Sequence, residues 1–232
     1  MSGAMPTGLP QGEAKVKAVD EMFDAIAPRY DLLNRLLTFG MDVGWRRKAV
    51  RSLQLPPGST VLDVACGTGD ICRELEKRGY RAVGVDRSAG MLAAQRTDAP
   101  LVRGDALRLP FRTNSVDGVV CGFALRNFAS LRPFLAECAR VLHPGGRVAL
   151  LEVSEPENSV LRWGHGVYFG KVVPLVGGML SDRDAYRYLP DSVAYLPPPN
   201  RMVSMLSEAG FGGAARRPLS TGIAQLLTGT RR

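Results

Sequence analysis

The sequence predicts an α/β protein built around an open, mostly parallel sheet. Short apolar runs alternate with segments of helical periodicity through the middle of the chain, as expected for strands joined by helical crossovers. The first apolar run, residues 60–65, leads into a turn with two glycines at residues 66–70, and a helical pattern follows. A strand, a glycine turn and a helix in this order are typical of nucleotide-type α/β sites.

The N-terminal part of the chain is predicted to be helical after a short tail. Residues 1–14 are rich in glycine, proline and polar residues, and we expect them to be a disordered tail. From there to residue 55, apolar side chains recur at spacings of three and four, and Pro28 interrupts the run. We treat residues 15–232 as a single domain that begins with these helices, residues 15–55.

The rest of the domain is predicted to alternate strands and helices. The expected strands are residues 60–65, 82–86, 101–104, 118–122 and 147–153. The expected helices are residues 70–78, 88–96, 131–142 and 202–209. Helices between strands imply parallel neighbours joined by right-handed crossovers. Residues 158–199 are an insertion of mixed apolar and aromatic content, and the chain after Phe211 is expected to form two final strands.

Composition and charge narrow the class of protein. The chain has 232 residues, with 45% hydrophobic and 22% charged residues, which suits one sizeable globular domain. No apolar run approaches the roughly 20 residues of a membrane-spanning helix. The four cysteines lack zinc-ligand spacing and favour a reducing cytoplasm. A net charge of +8 indicates an anionic partner, either a membrane surface or nucleic acid, or else a generally basic surface.

The glycine turn is expected to bind a ligand through its backbone. Gly67 and Gly69 can adopt positive φ and allow close approach, and the helix that follows presents free N–H groups. Position 72 is cysteine, so the dinucleotide fingerprint is absent, and so is the Gly-Lys-Ser/Thr ending of a P-loop. Asp63, just before the turn, favours a cationic, amine-bearing ligand; the alternative is an acid that only stabilises the turn.

Two further acids follow the second and third predicted strands. Asp86 stands about 20 residues after the glycine turn, a position that suits hydrogen bonds to both hydroxyls of a ribose. The alternative is that Asp86 caps the helix beginning near Ser88. Asp105 can accept a hydrogen bond from the exocyclic amine of adenine, while the N–H of Ala106 reaches the ring.

Taken in order, these motifs resemble those of the class I S-adenosylmethionine-dependent methyltransferases. The shared pattern joins Asp63 and the glycine turn, including Thr68, to Asp86, Gly104-Asp105-Ala106 and a Pro-Gly-Gly turn at 144–146. The resemblance implies a Rossmann-like fold, with a seven-stranded, mostly parallel sheet and helices on both faces. It also implies S-adenosylmethionine as the cofactor.

Other segments carry a narrower resemblance. Residues 23–34 read FDAIAPRYDLLN, residues 123–127 read FALRN, and residues 151–156 read LEVSEP. They are similar to the ubiquinone/menaquinone biosynthesis C-methyltransferases over most of the chain. The resemblance implies C-methylation of a polyprenylated quinol ring, most simply demethylmenaquinol to menaquinol, the final step of menaquinone biosynthesis. It also makes residues 15–55 an N-terminal lid and residues 158–199 a substrate-side insertion.

The same resemblance points to cofactor and catalytic residues. Thr68, Asp86, Asp105 and Ala106 carry over as cofactor contacts. Gly122 is also expected at the cofactor, although it lacks the hydroxyl of the serine that is common at this position. A quinol ring must lose a proton to become a carbon nucleophile, so a group that stabilises the phenolate lowers the barrier.

Three residues are the catalytic candidates, and two of them, Arg126 and Asn127, follow the fourth strand beside the expected methyl position. We expect Arg126 to stabilise the oxyanion and Asn127 to orient a hydroxyl; a salt-bridging arginine is the alternative. Tyr30, with Asp31 beside it on the lid, is expected to order the quinol or close over the cofactor, and helix packing is its alternative. His165 is a further candidate base. No metal site is visible in the sequence.

An apolar groove for the prenyl tail is expected from the lid and the insertion. The candidates are Leu32, Leu33, Leu36, Leu37, Phe39, Val167, Tyr168, Phe169, Val172 and Val173, with core packing as the alternative. Basic residues 46–48 and Arg51 could attract anionic lipid headgroups, which would make the protein peripheral to the inner face of the membrane. A homodimer is compatible with the sequence, and no nucleic-acid partner is expected.

Rival functions would require motifs or behaviour of their own. A dehydrogenase would need the full dinucleotide fingerprint, and a nucleic-acid methyltransferase would need an Asn-Pro-Pro-Tyr type motif; neither motif is present. A non-catalytic scaffold would keep the cofactor fold without turnover. The strongest alternative is a C-methyltransferase of secondary metabolism that accepts another prenylated or polyketide aromatic ring.

Overall fold

A seven-stranded sheet forms the centre of the protein. The computed structural model describes residues 12–156, 158 and 192–232. The strands lie in the order β3-β2-β1-β4-β5-β7-β6. They are β1 (Thr60–Val64), β2 (Arg81–Asp86), β3 (Leu101–Arg103), β4 (Val116–Gly122), β5 (Leu142–Val153), β6 (Phe211–Leu219) and β7 (Ala224–Arg231).

The first five strands are parallel, whereas β7 runs antiparallel to both β5 and β6. This confirms the predicted fold, including the two strands after residue 211. The carboxyl ends of β1, β2 and β4 meet at one edge of the sheet, which is where ligands bind in open α/β folds.

Helices cover both faces of the sheet and its carboxyl edge. In the described part of the chain they are α1 (Gly12–Ile26), α2 (Tyr30–Leu37), α3 (Met41–Ser52), α4 (Asp70–Glu76), α5 (Ala89–Ala93), α6 (Leu131–Val141) and α7 (Pro199–Glu208). A 3-10 turn, Ala27–Arg29, joins α1 to α2 at the expected proline. No helix in these described segments is both long and apolar enough to span a bilayer.

The two-residue period of the strands sorts their side chains between two cores. In β1, Val61 packs with α3 and α4 on one face, while Leu62 packs with α6 and α7 on the other. Neighbouring strands repeat the alternation, so that Val119 and Val120 of β4 enter opposite cores. Successive side chains of a strand point to opposite faces, and a sheet covered on both faces therefore needs apolar residues throughout.

The N-terminal helices form a third, smaller cluster over the carboxyl edge. Leu33 and Leu37 of α2 are buried there together with Met91 of α5. Of the two roles considered for these leucines, a groove for the prenyl tail or core packing, the structure shows core packing. Leu32, Leu36 and Phe39 are instead exposed, and they are the large hydrophobic side chains found exposed among the described residues.

Some boundaries differ from the sequence prediction. The first helix begins at Gly12, so residues 12–14 are helical and do not belong to the expected tail. β5 begins at Leu142, five residues earlier than expected, because fully buried Leu142 pairs with Val116 before the chain shifts register across residues 143–146. His165, residues 167–173 and most of the 158–199 insertion lie outside the described residues.

Candidate active site

A cavity opens at the carboxyl ends of β1, β2 and β4. It encloses about 840 Å³ of empty space, including its open mouth. The predicted site residues that line it are Tyr30, Gly67, Asp86, Asp105, Ala106, Gly122 and Asn127. Apolar side chains of α1 cover one side, so the cavity lies between the sheet edge and the N-terminal helices.

The turn after β1 brings backbone N–H groups to the cavity. Ala65, Gly67 and Gly69 have φ values of 57°, 56° and 90°, so the chain passes through the left-handed region three times in five residues. Phe123 after β4 has a φ of 62°. Left-handed non-glycine residues cost about 1–3 kcal/mol each and cluster at functional sites, where the surrounding structure enforces them.

Asp86 organises the glycine turn from the end of β2. Its Oδ2 accepts a hydrogen bond from the N–H of Gly67 at 2.7 Å, and its Oδ1 accepts one from the N–H of Ser88 at 2.9 Å. Burial raises the pKa of this carboxyl, although the backbone donors oppose the shift. A carboxylate has about four acceptor positions, so the backbone donors leave capacity for ligand hydroxyls. The capping alternative and the ribose role are therefore compatible.

Asp105 is fixed in the cavity wall by two donors. Its Oδ1 accepts from the N–H of Leu107 at 2.8 Å, and its Oδ2 lies 3.3 Å from Nη1 of Arg87. Arg87 also pairs with Asp20 of α1 at 2.8 Å. Sequence reasoning missed Arg87, which joins the adenine side of the cavity to the first helix.

A second, smaller cavity adjoins the first beside the glycine turn. It holds about 320 Å³ of empty space and is lined by Asp31, Arg46, Asp63 and Thr68 among others. Oδ1 of Asp63 and Oδ2 of Asp31 are buried with no hydrogen-bond partner among the described residues; Nε of Arg96 lies 3.4 Å from the latter. Burial raises the pKa of Asp63 to about 7.

Asp63 and Arg46 together suit the amino-acid end of the expected cofactor. An unsatisfied buried acceptor is costly unless a ligand supplies a donor. Asp63 can accept from an ammonium, while the Arg46 guanidinium in the same cavity suits a carboxylate. The residues present therefore fit S-adenosylmethionine.

Thr68 ties the glycine turn to the N-terminal helices. Its buried hydroxyl donates to Oδ1 of Asp31 at 2.7 Å. Thr68 and Asp63 thus both line the smaller cavity, and their contact with the cofactor stays a prediction. The hydroxyl hydrogen of Thr68 is already donated to Asp31 of α2. Tyr30 lines both cavities and lies close to Gly67.

Besides Gly67, Gly69 and Gly122 are predicted to contact the cofactor, and their surroundings differ. Gly69 lines neither cavity, and a Cβ there would lie 2.4 Å from Cγ2 of Thr97, so its role is the turn into α4; the prediction of direct contact needs this correction. Gly122 lines both cavities, and a Cβ there would lie 2.6 Å from Cδ1 of Ile71. Ile71 thus occupies the space that a serine would need.

Arg126 is committed to contacts inside the protein, which corrects the predicted oxyanion role. Its Nη1 pairs with the buried carboxylate of Glu152 and donates to the carbonyl of Phe123 at 2.8 Å, while its Nε donates to Oγ of Ser192 at 3.1 Å. Arg126 does not line the cavity, whereas Asn127 does. The salt-bridging alternative describes it best.

Two further polar residues matter to the site: Arg46 has a weak sequence signal, and Lys15 has none. Arg46 pairs with Asp42 four residues earlier and lies 3.6 Å from Asp70; the i,i+4 spacing was a signal for this pair. Lys15 is buried on α1 and donates to two backbone carbonyls more than a hundred residues away. No residue pattern identifies a backbone partner, so Lys15 was not found. The described residues contain no cluster suited to a metal ion.

Comparison with known proteins gives a consistent result. The model of the ubiE/COQ5 methyltransferase family matches residues 11–231. A demethylmenaquinone methyltransferase of Deinococcus radiodurans is 44% identical, with 94% of each chain covered. One of Thermus thermophilus is 42% identical over 90% of this chain and its own full length. A ubiquinone/menaquinone biosynthesis C-methyltransferase of Geobacter sulfurreducens is 38% identical, with 94% of this chain and 90% of that protein covered.

Solved structures agree on the fold. A possible histamine N-methyltransferase from Thermotoga maritima matches with a TM-score of 0.66 and 19% identity, covering 91% of this chain and 99% of that one. A methyltransferase in complex with its Trm112 activator from Haloferax volcanii matches with a TM-score of 0.61 and 20% identity, covering 85% and 96%.

The geometry of Asp86 generates a binding prediction. Replacing Asp86 with asparagine removes the charge that accepts the ligand hydroxyls. We expect the binding energy to fall by about 1.5–3 kcal/mol, the contribution of a hydrogen bond to a charged group, or about tenfold to a hundredfold in Kd. Calorimetric titration with S-adenosylmethionine measures it. The control is Asp117→Asn, because Asp117 also accepts from a strand N–H, that of Thr60, but lines neither cavity. Equal loss in both variants would contradict the assignment.

The Arg126–Glu152 pair generates a stability prediction. Arg126→Met leaves Glu152 charged and buried without its partner, and we expect the free energy of unfolding to fall by about 3–5 kcal/mol. Adding Glu152→Met removes the orphaned charge, so the double variant should recover much of that loss. Urea denaturation monitored by circular dichroism measures both values. A single variant that loses less than about 1 kcal/mol, as for a surface pair, would refute the role.

Proposed function

Because this chain belongs to the ubiE/COQ5 methyltransferase family, we propose that it methylates a ring carbon of demethylmenaquinol to give menaquinol. It is a methyltransferase that uses S-adenosylmethionine. The observation that carries the proposal is the pair of adjoining cavities. One holds strand-end acids suited to an adenosine and a mostly apolar wall. The other holds an arginine and an acid, Asp63, of which one oxygen has no partner among the described residues. Relatives named for demethylmenaquinone support the choice of ring.

Each part of the cofactor has residues suited to hold it. Asp86 accepts from the ribose hydroxyls, Asp105 and Ala106 meet the adenine, and Asp63 with Arg46 holds the amino-acid end. The sulfonium of the bound cofactor supplies an electrophilic methyl group. A cofactor held by these residues would direct that group toward the apolar part of the large cavity, which Phe123 and Phe128 line.

The acceptor ring must be reduced and correctly oriented. A quinone ring is electrophilic, whereas a quinol that loses a hydroxyl proton gains electron density at the neighbouring carbon. Asn127 in the cavity wall is the residue that orients a hydroxyl. Holding the reacting atoms about 3–3.5 Å apart supplies much of the rate enhancement.

Tyr30 is the group suited to the acceptor oxygen. Burial raises the pKa of its phenol, although the charge of Arg46 opposes the shift, so it stays protonated at neutral pH. A protonated phenol can donate a hydrogen bond to the phenolate that forms. With Arg126 engaged by Glu152, we assign Arg126 to holding the segment that carries Asn127 rather than to touching the substrate.

The proposed substrate is lipid-soluble, and the exposed face of the N-terminal helices suits a membrane surface. Leu32, Leu36 and Phe39 project there with exposed fractions of 64%, 48% and 75%. Residues 27–54 carry six basic and two acidic side chains, a net charge of +4. Both acids, Asp31 and Asp42, are buried. Arg46 is buried as well, which corrects its predicted role at lipid headgroups and leaves five exposed bases. Of these five, Arg35 and Arg47 pair with Asp70 and Glu74.

The N-terminal helices therefore expose three large apolar side chains and several basic ones, a combination typical of peripheral proteins that bind anionic lipid. We propose peripheral contact with the cytoplasmic face of the membrane through this surface. A homodimer remains compatible with it.

The function prediction concerns the redox state of the acceptor. With labelled S-adenosylmethionine in detergent, we expect transfer to chemically reduced demethylmenaquinone and none to the oxidised quinone, because only the quinol offers a nucleophilic carbon. Asp86→Asn is the control: because it should bind the cofactor more weakly, it should transfer less methyl at a subsaturating cofactor concentration. Cofactor binding without transfer to any prenylated quinol, and transfer to a soluble aromatic ring instead, would favour a C-methyltransferase of secondary metabolism.

The membrane prediction concerns the exposed apolar face. Phe39→Glu and Leu36→Glu should each weaken binding to vesicles that contain anionic lipid, by about tenfold or more if the side chain is fully buried in the bilayer. Vesicle sedimentation measures the bound fraction. His143→Glu is the control, because it adds the same charge at the opposite end of the sheet, where His143 is exposed. Unchanged binding in the lid variants would contradict the proposed contact.

A further inference from the structure

Lys15 makes an unusual set of contacts for a lysine near the start of a helix. Its side chain lies on α1 and is 4% exposed. The Nζ donates to the carbonyl oxygens of Arg126 at 2.8 Å and Phe128 at 2.9 Å. It also lies 3.5 Å from the centroid of the Tyr195 ring. Its partners are therefore two carbonyls and an aromatic face. The two carbonyls belong to the residues on either side of Asn127.

Burial of this ammonium opposes its charge. Desolvation lowers the pKa of Lys15 to about 8. Lys17, two residues later on the same helix, shows the ordinary alternative, since it is exposed and lies 3.8 Å from Glu21. A buried lysine keeps its charge only where polar partners replace water, and here those partners are carbonyl oxygens of the segment beside the cavity.

The segment that Lys15 contacts is the 3-10 turn Leu125–Asn127 and the residue after it. The last carbonyls of a helical turn have no partner within the turn and need an external donor. Lys15 of α1 supplies that donor, while Glu152 of β5 pairs with the Arg126 side chain. Asn127 is therefore fixed between a contact from α1 and a contact from the sheet.

The first helix is anchored at two separate points. Toward its C-terminal end, Asp20 pairs with Arg87 at 2.8 Å, and Asp24 accepts from the N–H of Gly90 at 2.9 Å. These contacts lie on the cofactor side of the cavity. Lys15 anchors the N-terminal end on the side of the segment after β4. Between the two anchors, Val16, Val19 and Phe23 line the cavity.

We propose that Lys15 is a positioning residue for methyl transfer, which holds Asn127 in the cavity and closes the N-terminal half of α1 over the acceptor. This inference rests on the proposed function, because the role of Asn127 belongs to that reaction. Lys15 does not line the cavity itself, so it acts through the Arg126–Phe128 segment. It is distinct from the groups that bind the cofactor.

Lys15→Met is the informative substitution, because methionine fills the buried site without donors or charge. We expect kcat to fall about tenfold to a hundredfold, the effect of displacing a positioned group by about 1 Å. The Kd for S-adenosylmethionine should stay unchanged, since the Asp20 and Asp24 anchors remain.

Lys15→Arg retains donors for both carbonyls and should restore part of kcat. Lys17→Met removes the same group from an exposed position of the same helix and should match the wild type.

A measurement without substrate separates this inference from the proposed function. Hydrogen exchange should accelerate in residues 125–129 of Lys15→Met, and not in Lys17→Met. If the wild type methylates no quinol but this exchange pattern is found, the proposed function fails and the contact stands. Unchanged exchange together with unchanged kcat would overturn the inference. A parallel loss of cofactor affinity and kcat would also overturn it, because it would show general loosening of the domain.

Discussion

Closure of the cavity depends on polar groups that are buried where the N-terminal helices meet the carboxyl edge of the sheet. Thr68 donates to Asp31, Arg46 pairs with Asp42, and Lys15 donates to backbone carbonyls. Hydrophobic burial alone is non-directional, so the small cluster around Leu33 could pack in several ways. Buried polar contacts are costly when mismatched, and they therefore favour one position of the lid.

The same polar contacts connect the lid to both halves of the ligand site. Asp31 reaches the glycine turn, Arg46 lines the cavity beside Asp63, and Lys15 reaches the turn that carries Asn127. A displacement of the helices would therefore disturb the cofactor side and the acceptor side together. In this arrangement the lid completes the walls of the site and does more than shield it from water.

The sequence was informative where topology decides position and uninformative where long-range partners decide it. Asp86 and Asp105 follow parallel strands, and the order of those strands carries their side chains to the same edge. Arg126 follows a strand in the same way, yet its orientation depends on Glu152, 26 residues further along the chain.

Lys15 is the more extreme case, because its acceptors are backbone carbonyls that any residue type would supply. Gly69 and Gly122 show a related limit. A glycine marks a crowded or left-handed position, but only the packing partners, Thr97 and Ile71, reveal which neighbour it makes room for.

The distribution of charge follows from these constraints. The acids of the site are buried or partly buried at the sheet edge, where each is fixed by backbone donors or by an arginine. Of the exposed basic residues of α2 and α3, Arg35 and Arg47 pair with Asp70 and Glu74 of α4, while Lys48 and Arg51 also lie exposed on the lid. The N-terminal helices thus bury Asp31 and Asp42 together with Arg46 near the cofactor side, and they expose other bases and three large apolar side chains. A substrate that resides in an anionic bilayer would meet this outer face first, so the fold places membrane contact and lid closure on the same structural element.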